Sequence, residues 1–325
     1  MTEMSSHTLD QVSVIIRVHN RTEFVCQAIH SLLRQNHQNI EILVVDDGSD
    51  MPIENYIKSH CSSTKIRFIR KPHTGRSDSS NVGIANAQGN YLIFLDDDDL
   101  LHPQMISMTL TVLKNFNADI VHVGYRYFFG TEQNLDSQKF NICKDFSSPL
   151  KLLTTRNPFP INTVLVKKKI IENAGNFDKN MDTAEDWDLW LRVVARGVKI
   201  KILDQCLAFI RVHKNNVSQN TFLMSEGSLK VLENAEKYLN QNQRKGLNLK
   251  WKIAFRRLVV GWNVTLLGSS QKGRQMFLSV LKKDSLLLPL SSFLWFISFL
   301  PVYYLKRLTN VYRLITHQPE IYRNP

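Results

Sequence analysis

The sequence predicts an α/β fold: a mixed, parallel-dominated sheet covered by helices on both faces, followed by a helical C-terminal region. Three observations carry that expectation. Strand-like and helix-like segments alternate through the first 130 residues, the pattern of a sheet flanked by helices. The apolar run Tyr91 to Leu95 ends directly in Asp96, Asp97, Asp98 and Asp99, and open α/β sheets bind ligands at the carboxyl ends of their strands. Beyond about residue 221 the chain reads as helix throughout and turns strongly basic.

The elements follow in order. Val12 to Val18 is β-branched and strand-like. Thr22 to Gln35 carries Phe24, Val25, Ala28, Ile29, Leu32 and Leu33 at helical spacing. Ile40 to Val45 is a second strand, ending in Asp46, Asp47, Gly48 and Ser49, and Ile66 to Ile69 a short third. Asn81 to Ala87 ends a helix, with Gln88, Gly89 and Asn90 as its stop. Tyr91 to Leu95 is the fourth strand, Pro103 to Phe116 a helix and Ile120 to Phe129 a further strand. Residues 130–155 are weakly patterned and read as a loop with a short helix. Asn162 to Val166 reads as a strand and Lys167 to Gly175 as a short helix with a glycine stop. Glu185 to Arg196 is a helix whose Trp187, Trp190, Leu191 and Val194 form one stripe. Lys199 to Leu203 and Cys206 to Val212 read as two strands. The expected division is a domain over 1–220 and a helical basic region over 221–325.

The chain has 325 residues and a net charge of +12. Residues 1–220 carry 25 Lys and Arg against 24 Asp and Glu, whereas residues 221–325 carry 16 against 5. The positive charge belongs to the last third and suggests an anionic partner there. The four cysteines are scattered with no CxxC pair, which argues against a zinc site and a disulfide framework and for a reducing compartment. The N-terminal residues have neither a basic n-region nor an apolar h-region, so no signal peptide is expected.

Four adjacent carboxylates repel one another unless something positive sits among them. A divalent cation held by hard oxygen ligands, itself gripping a phosphate-bearing substrate, fits that need. The plainer reading is a solvated acidic turn with Asp99 capping the next helix, and Asp99, Leu100, Leu101, His102 and Pro103 suit a helix start.

Taken together, several motifs resemble family 2 glycosyltransferases of GT-A fold. They are Val14 to Arg21, Gln35, Val44 to Ser49, Asn81 to Asp99, Gly175 to Asp178, Glu185 to Arg192 and Arg211 to His213, in the family's order over roughly residues 12–215. The resemblance implies an inverting, metal-dependent transfer of a sugar from a nucleotide donor, UDP-linked before GDP- or dTDP-linked, to an acceptor hydroxyl. It implies that Asn20 and Arg21 lie beside the nucleotide base and diphosphate, and that Asp46 or Asp47 holds the base. Asp96 reaches the ribose, Asp97 is counted with the donor site although it more often faces away, and Asp98 ligates Mn²⁺ or Mg²⁺. His213 contacts metal or diphosphate, and Asp186 is the general base. The plainer readings are a turn residue for Asn20, capping acids for Asp46 and Asp47, a helix-stabilising acid for Asp186 and a structural histidine for His213.

The chain departs from the family at two points. Arg17 and His19 stand where the family often has Pro and Tyr. Ser80 stands where an Arg-Asn pair usually begins, so Arg76 is the expected source of the missing cation, with plain surface charge as its other reading. Arg211 is a further candidate for binding phosphate.

Leu286 to Leu305 is twenty residues without charge, flanked by Lys282-Lys283 and Lys306-Arg307. A helix of that length reaches about 30 Å, a bilayer core. Two prolines with tyrosine and tryptophan favour a helix lying in the interface over one crossing it. A span, a buried helix and a dimer interface are the other readings. Residues 282–307 would then meet an anionic membrane surface, placing the protein in the cytoplasm, peripheral on the inner face of the plasma membrane. The acceptor expected is then a glycan or lipid-linked glycan in cell-surface polysaccharide synthesis, and a homodimer is a further possibility. A sugar nucleotidyltransferase should show a Gly-rich basic loop after its first strand, and Arg17 to Arg21 is not one. Nucleic-acid binding accounts for the basic tail but not for clustered acids, and an inactive scaffold sits poorly with the retained acidic set.

Overall fold

Four strands form the parallel half of one sheet: β1 (Val12–Val18), β2 (Ile40–Asp47), β3 (Ile66–Lys71) and β4 (Tyr91–Asp96). In the computed structural model, which describes residues 10–130, 140–181, 183–281, 288–300 and 305, the sheet continues through β5 (Leu100–Leu101), β6 (Ile120–Phe128), β7 (Val164–Lys167) and β8 (Ile200–Arg211). Its order is β3-β2-β1-β4-β7-β6-β8-β5. β7 runs antiparallel to both β4 and β6, β5 antiparallel to β8, and β6 parallel to β8. The sheet is therefore mixed, as expected.

Val12, Val14, Ile16 and Val18 of β1 pack in one core with residues of α1 (Thr22–Leu33), α2 (Ile53–His60) and α4 (Met105–Asn115). Ile15 points to the other face, against α3 (Arg76–Asn86). A Cβ on Gly83 would stand 2.4 Å from Ile15 Cγ2, so glycine is what lets this helix lie close on β1. Shorter helices follow at α5 (Pro149–Leu153) and α6 (Lys168–Asn173), then α7 (Glu185–Val194).

Three local expectations need correction. The two strands read over 199–212 are one, β8, with register shifts opposite Gly124. A Cβ on Gly124 would meet the Phe140 ring at 2.4 Å, so the sheet bends where no side chain intrudes. The segment at Asn162 begins as a 3₁₀ turn, Ile161–Thr163, before β7. No helix starts at Asp99: Leu100 and Leu101 pair with Phe209 and Ala208, and α4 opens only at Met105. Gln35 explains the delay. Its side chain donates to His102 O at 2.7 Å and accepts from Ile106 N at 3.1 Å, satisfying the start of α4 from outside.

The chain divides into two compact units, Met1–His213 and Lys214–Pro325. The second holds α8 (Thr221–Tyr238), α9 (Gln241–Arg244), α10 (Leu249–Leu266), α11 (Ser270–Leu281) and α12 (Leu288–Ile297). Asn220 caps α8 by accepting from Leu223 N at 3.1 Å, and Asn240 with Gln243 forms a capping box on α9. Ala254, Leu258, Phe277 and Val280 form one apolar cluster between α10 and α11. No described helix is long and apolar enough to cross a membrane. The apolar run expected over 286–305 contains α12, with Phe293, Phe296, Phe299 and Leu300 exposed. Lys282, Lys283, Lys306 and Arg307 lie outside the described residues. All four cysteines are free.

Candidate active site

The carboxyl end of β4 carries the acidic run, whose acids have different sets of partners, Asp97 and Asp98 sharing Arg21. Asp96 Oδ1 meets Arg17 Nη2. Asp97 Oδ1 accepts from Arg21 Nη1 at 3.2 Å, so it is engaged rather than turned away. Asp98 Oδ2 accepts from the same Arg21 nitrogen at 2.9 Å and lies 2.8 Å from His213 Nε2. Asp99 accepts from Arg211 N at 2.8 Å and from Asn162 Nδ2 at 2.9 Å. Those two bonds tie the end of β8 and the turn before β7 to the acidic run, a role unlike the helix cap the sequence suggested.

Charge follows these contacts. Burial opposes ionisation of Asp96, but the Arg17 guanidinium outweighs it and holds the carboxyl below its ordinary value. Burial and the neighbouring Asp98 charge push Asp97 up to about 7. Burial, then Asp98 and Asp96, push Asp99 well above the ordinary range.

At the end of β2, Asp46 and Asp47 divide their duties. Asp47 meets Lys71 Nζ, accepts from Thr74 N and Gly75 N at 3.0 Å each, and lies 2.9 Å from His73 Nδ1. Both its oxygens hold the loop before α3. Asp46 Oδ1 accepts from Ser49 N at 2.9 Å, and its other oxygen has a long ion pair with Arg70 at 3.7 Å. Asn20 sits at φ 56 in the left-handed region that asparagine tolerates. Its N–H donates to Ser49 Oγ at 2.9 Å and its side chain accepts from Asp50 N at 2.8 Å, joining the rims after β1 and β2.

On α7, Asp186 is half-buried and Glu185 buried. Asp186 Oδ2 accepts from Asn157 Nδ2 at 2.9 Å, and Oδ1 from Trp187 N at 2.7 Å. Burial, then the Glu185 charge, push the Asp186 carboxyl up to about 7. Two indoles seat the helix: Trp187 Nε1 donates to Leu153 O at 2.6 Å and Trp190 Nε1 to Phe159 O at 3.0 Å. These bonds also bring the segment bearing Asn157 to Asp186. Asn81 clamps the next loop, exchanging hydrogen bonds with the Phe177 N–H and carbonyl, each at 2.9 Å.

Arg76 and Arg17 reach Asp96 in different ways. Arg76 is exposed, and only its charge is felt at Asp96. The guanidinium in contact comes from Arg17, on β1, one of the chain's departures from the family. Arg211, a candidate for binding phosphate, has other partners. It is buried, with Nε donating to Asp98 O at 2.8 Å, Nη2 to Gln27 Oε1 at 2.6 Å and Nη1 to Gly130 O. Its guanidinium lies between the Phe24 and Phe128 rings. It braces the acidic run instead of facing a phosphate.

The carboxylate of Asp98 and the imidazole of His213 form a donor pair compatible with Mn²⁺ or Mg²⁺, and the Arg21 contact marks Asp98 as a position for positive charge. Among the described residues, no group of three His, Cys, Asp or Glu side chains is arranged to hold an ion, so further ligands would come from substrate oxygens or water.

The model of Glycosyl transferase family 2 matches residues 13–173. An uncharacterized glycosyltransferase of Haemophilus influenzae is 30% identical over 227 residues, 65% of this chain and 83% of that relative. The chain belongs to glycosyltransferase family 2. An uncharacterized glycosyltransferase of Rickettsia felis is 31% identical over 214 residues, 66% of this chain, and the chain spans only 34% of that relative's length. Two solved structures share the fold of this glycosyltransferase-family chain. TarS 1-349 of S. aureus in complex with UDP-GlcNAc is 15% identical with a TM-score of 0.64, covering 95% of this chain and 93% of that one. The mannosyltransferase PcManGT from Pyrobaculum calidifontis in complex with GDP-Man and Mn²⁺ is 13% identical with a TM-score of 0.59, covering 95% and 88%. The GT-A-type sheet with its helical C-terminal region is thus borne out as the fold.

Proposed function

We propose that the chain is an inverting glycosyltransferase that moves a sugar from a nucleoside diphosphate donor to an acceptor hydroxyl. The observation that carries this reading is the pairing of two carboxylate sites: Asp98 against His213 at the end of β4, and Asp186, with its carboxyl pushed up to about 7, on α7. A base near neutrality suits abstraction of a hydroxyl proton. Asp186 takes the proton of the acceptor hydroxyl, that oxygen bonds to the anomeric carbon from the opposite face, and the bond to the diphosphate oxygen breaks. Asn157 and the Trp187 N–H hold the Asp186 carboxylate as it takes the proton.

Asp98 and His213 would hold Mn²⁺ or Mg²⁺, which when bound supplies positive charge for the leaving diphosphate. Asn20, Arg21, Asp96 and Asp97 line the donor side, with Arg76 at its edge. Of the pair on β2, Asp46 is the better candidate for the base, because both Asp47 oxygens already hold the loop. The donor is read as UDP-linked, and the UDP-GlcNAc bound by the fold neighbour TarS supports that choice. The Mn²⁺ bound by PcManGT supports a divalent ion.

The catalytic domain is taken as residues 1–220. Residues 221–325 are taken as a helical basic region that attaches to an anionic membrane surface through 282–307. The exposed phenylalanines 293, 296 and 299 and Leu300 support attachment. The acceptor is then a glycan or lipid-linked glycan at the cytoplasmic face, in polysaccharide synthesis.

The test is hydrolysis of a panel of nucleotide sugars with Mn²⁺, beside Asp98→Ala and Asp186→Asn. Release of nucleoside diphosphate from one donor, lost in both variants, supports the reading and names the sugar. Neither release nor metal-dependent nucleotide binding overturns it.

A further inference from the structure

Arg17 is buried in β1 and touches side chains of three other elements. Its Nη2 meets Asp96 Oδ1 of β4, while Nη1 donates to Glu185 Oε1 of α7 at 2.9 Å and to Ser80 Oγ of α3 at 3.3 Å. The backbone explains how one side chain reaches all three. Ile15 and Arg17 share a face of the strand, and Ser80 and Gly83 share a face of the helix. The close approach of Gly83 to Ile15 therefore sets Ser80 beneath Arg17. A serine there is small enough to leave the guanidinium its place. Burial disfavours the charge on Arg17, but Asp96 and Glu185 outweigh it and keep the group ionised.

We propose that Arg17 is a positioning residue: a single guanidinium that fixes the donor-side acid Asp96 to the first turn of α7 and so sets where, and in what field, Asp186 accepts a proton. The inference rests on the reading of Asp186 as the base. Glu185 adjoins Asp186 in the chain, and without Arg17 it is a buried carboxylate with its cation removed. The charges facing Asp186 are Glu185 on its own helix, Arg17 from β1 and Asp96 from β4, with Asn157 as a neutral donor. Removing Arg17 leaves two acids facing Asp186 and no compensating guanidinium, which raises its proton affinity. A lysine offers one compact ammonium and cannot span both carboxylates as the planar fork does.

The experiment compares the full chain with Arg17→Met, Arg17→Lys and the exchange variant Arg17→Ser/Ser80→Arg, which returns a guanidinium to the same place from α3. Donor turnover is followed across pH, and the Asp186 carboxyl is titrated by carbon-13 NMR, its resonance assigned by loss in Asp186→Asn. The expected result is a fall in kcat of about 100-fold in Arg17→Met, as for a misplaced catalytic group. The acidic limb of the pH profile and the Asp186 titration should both move up by about half a pH unit or more. Arg17→Lys should recover little, and the exchange variant should return within about tenfold of wild type, since the guanidinium fork is what bridges the two acids.

If wild type neither releases nucleoside diphosphate nor binds nucleotide with metal, the general-base reading fails on its own, and the titration still reads Arg17. An Asp186 titration unmoved in folded Arg17→Met overturns the proposal. If Arg17→Met does not fold, the exchange variant decides: a folded exchange variant with wild-type titration supports the proposal, and one that does not fold or titrates differently overturns it.

Discussion

Asp98 and His213, 115 residues apart in sequence, meet with Oδ2 and Nε2 2.8 Å apart. Phe24 stacks on the His213 ring at 5.5 Å between centroids, and Arg211 anchors the backbone of Asp98. Both partners are thus held by groups that do not themselves need an ion. Asp98→Ala and His213→Ala should each weaken Mn²⁺ affinity in the presence of UDP by at least about tenfold, since even outer-shell changes cost that much. Calorimetric titration of the metal measures it, and an unchanged Kd in both variants would count against the pair as ligands.

The pH dependence has a definite sign. Asp186 accepts a proton only when ionised, and burial with the Glu185 charge pushes its carboxyl up to about 7. Turnover should therefore rise about tenfold per pH unit below 7 and level off above it. Asp186→Asn should remove the limb and lower the rate by about 10² to 10⁴-fold. Stability runs the other way. A carboxyl raised in the folded state favours folding while protonated, and loses that contribution as pH climbs through 7. Asp186→Asn should accordingly gain thermal stability relative to wild type at pH 8 more than at pH 5, which paired melting curves would show.

Much of this site could be read in the chain because it is local. The acidic run follows directly on the apolar Tyr91 to Leu95, and strand-then-acid places carboxylates on the sheet's ligand rim. The α7 stripe was equally plain, and Trp187 and Trp190 are buried as its spacing required. What escaped was non-local. Asn157 lies in a weakly patterned stretch and reaches Asp186 only because two indoles draw that segment in. Arg17 looked like a mere departure, since nothing in a linear reading says that Gly83 brings Ser80 under β1. Asp99 has the neighbours of a helix cap, yet strand pairing at Leu100 and Leu101 competes for the same backbone and wins.

Trp190→Phe keeps an aromatic ring in the core and deletes one donor. The Phe159 carbonyl then loses its partner at 3.0 Å in a buried setting. An acceptor stranded that way costs about 1 to 3 kcal/mol. Urea unfolding should show a loss of that size. Because Asn157 is two residues from Phe159, turnover should fall while nucleotide affinity holds. Equal losses in both would point instead to general collapse of the unit.

Attachment to a membrane surface makes a prediction separate from catalysis. Phe293 is 58% exposed and Phe296 74% exposed on α12, where a soluble helix would put polar groups. The ten described residues of α12, at about 1.5 Å each, are too short to cross a bilayer but long enough to lie in its interface. Burying one phenylalanine contributes about 1.5 to 3 kcal/mol. Phe293→Ser and Phe296→Ser should therefore each reduce partition onto vesicles about tenfold or more. The basic balance of residues 221–325 adds attraction that salt screens. Binding should favour anionic over zwitterionic vesicles and weaken as salt rises, while nucleotide-sugar hydrolysis in solution stays unchanged in both variants. Co-sedimentation with vesicles of each composition measures this. Equal binding by wild type and both serine variants would remove α12 as the contact and turn attention to the basic side chains alone.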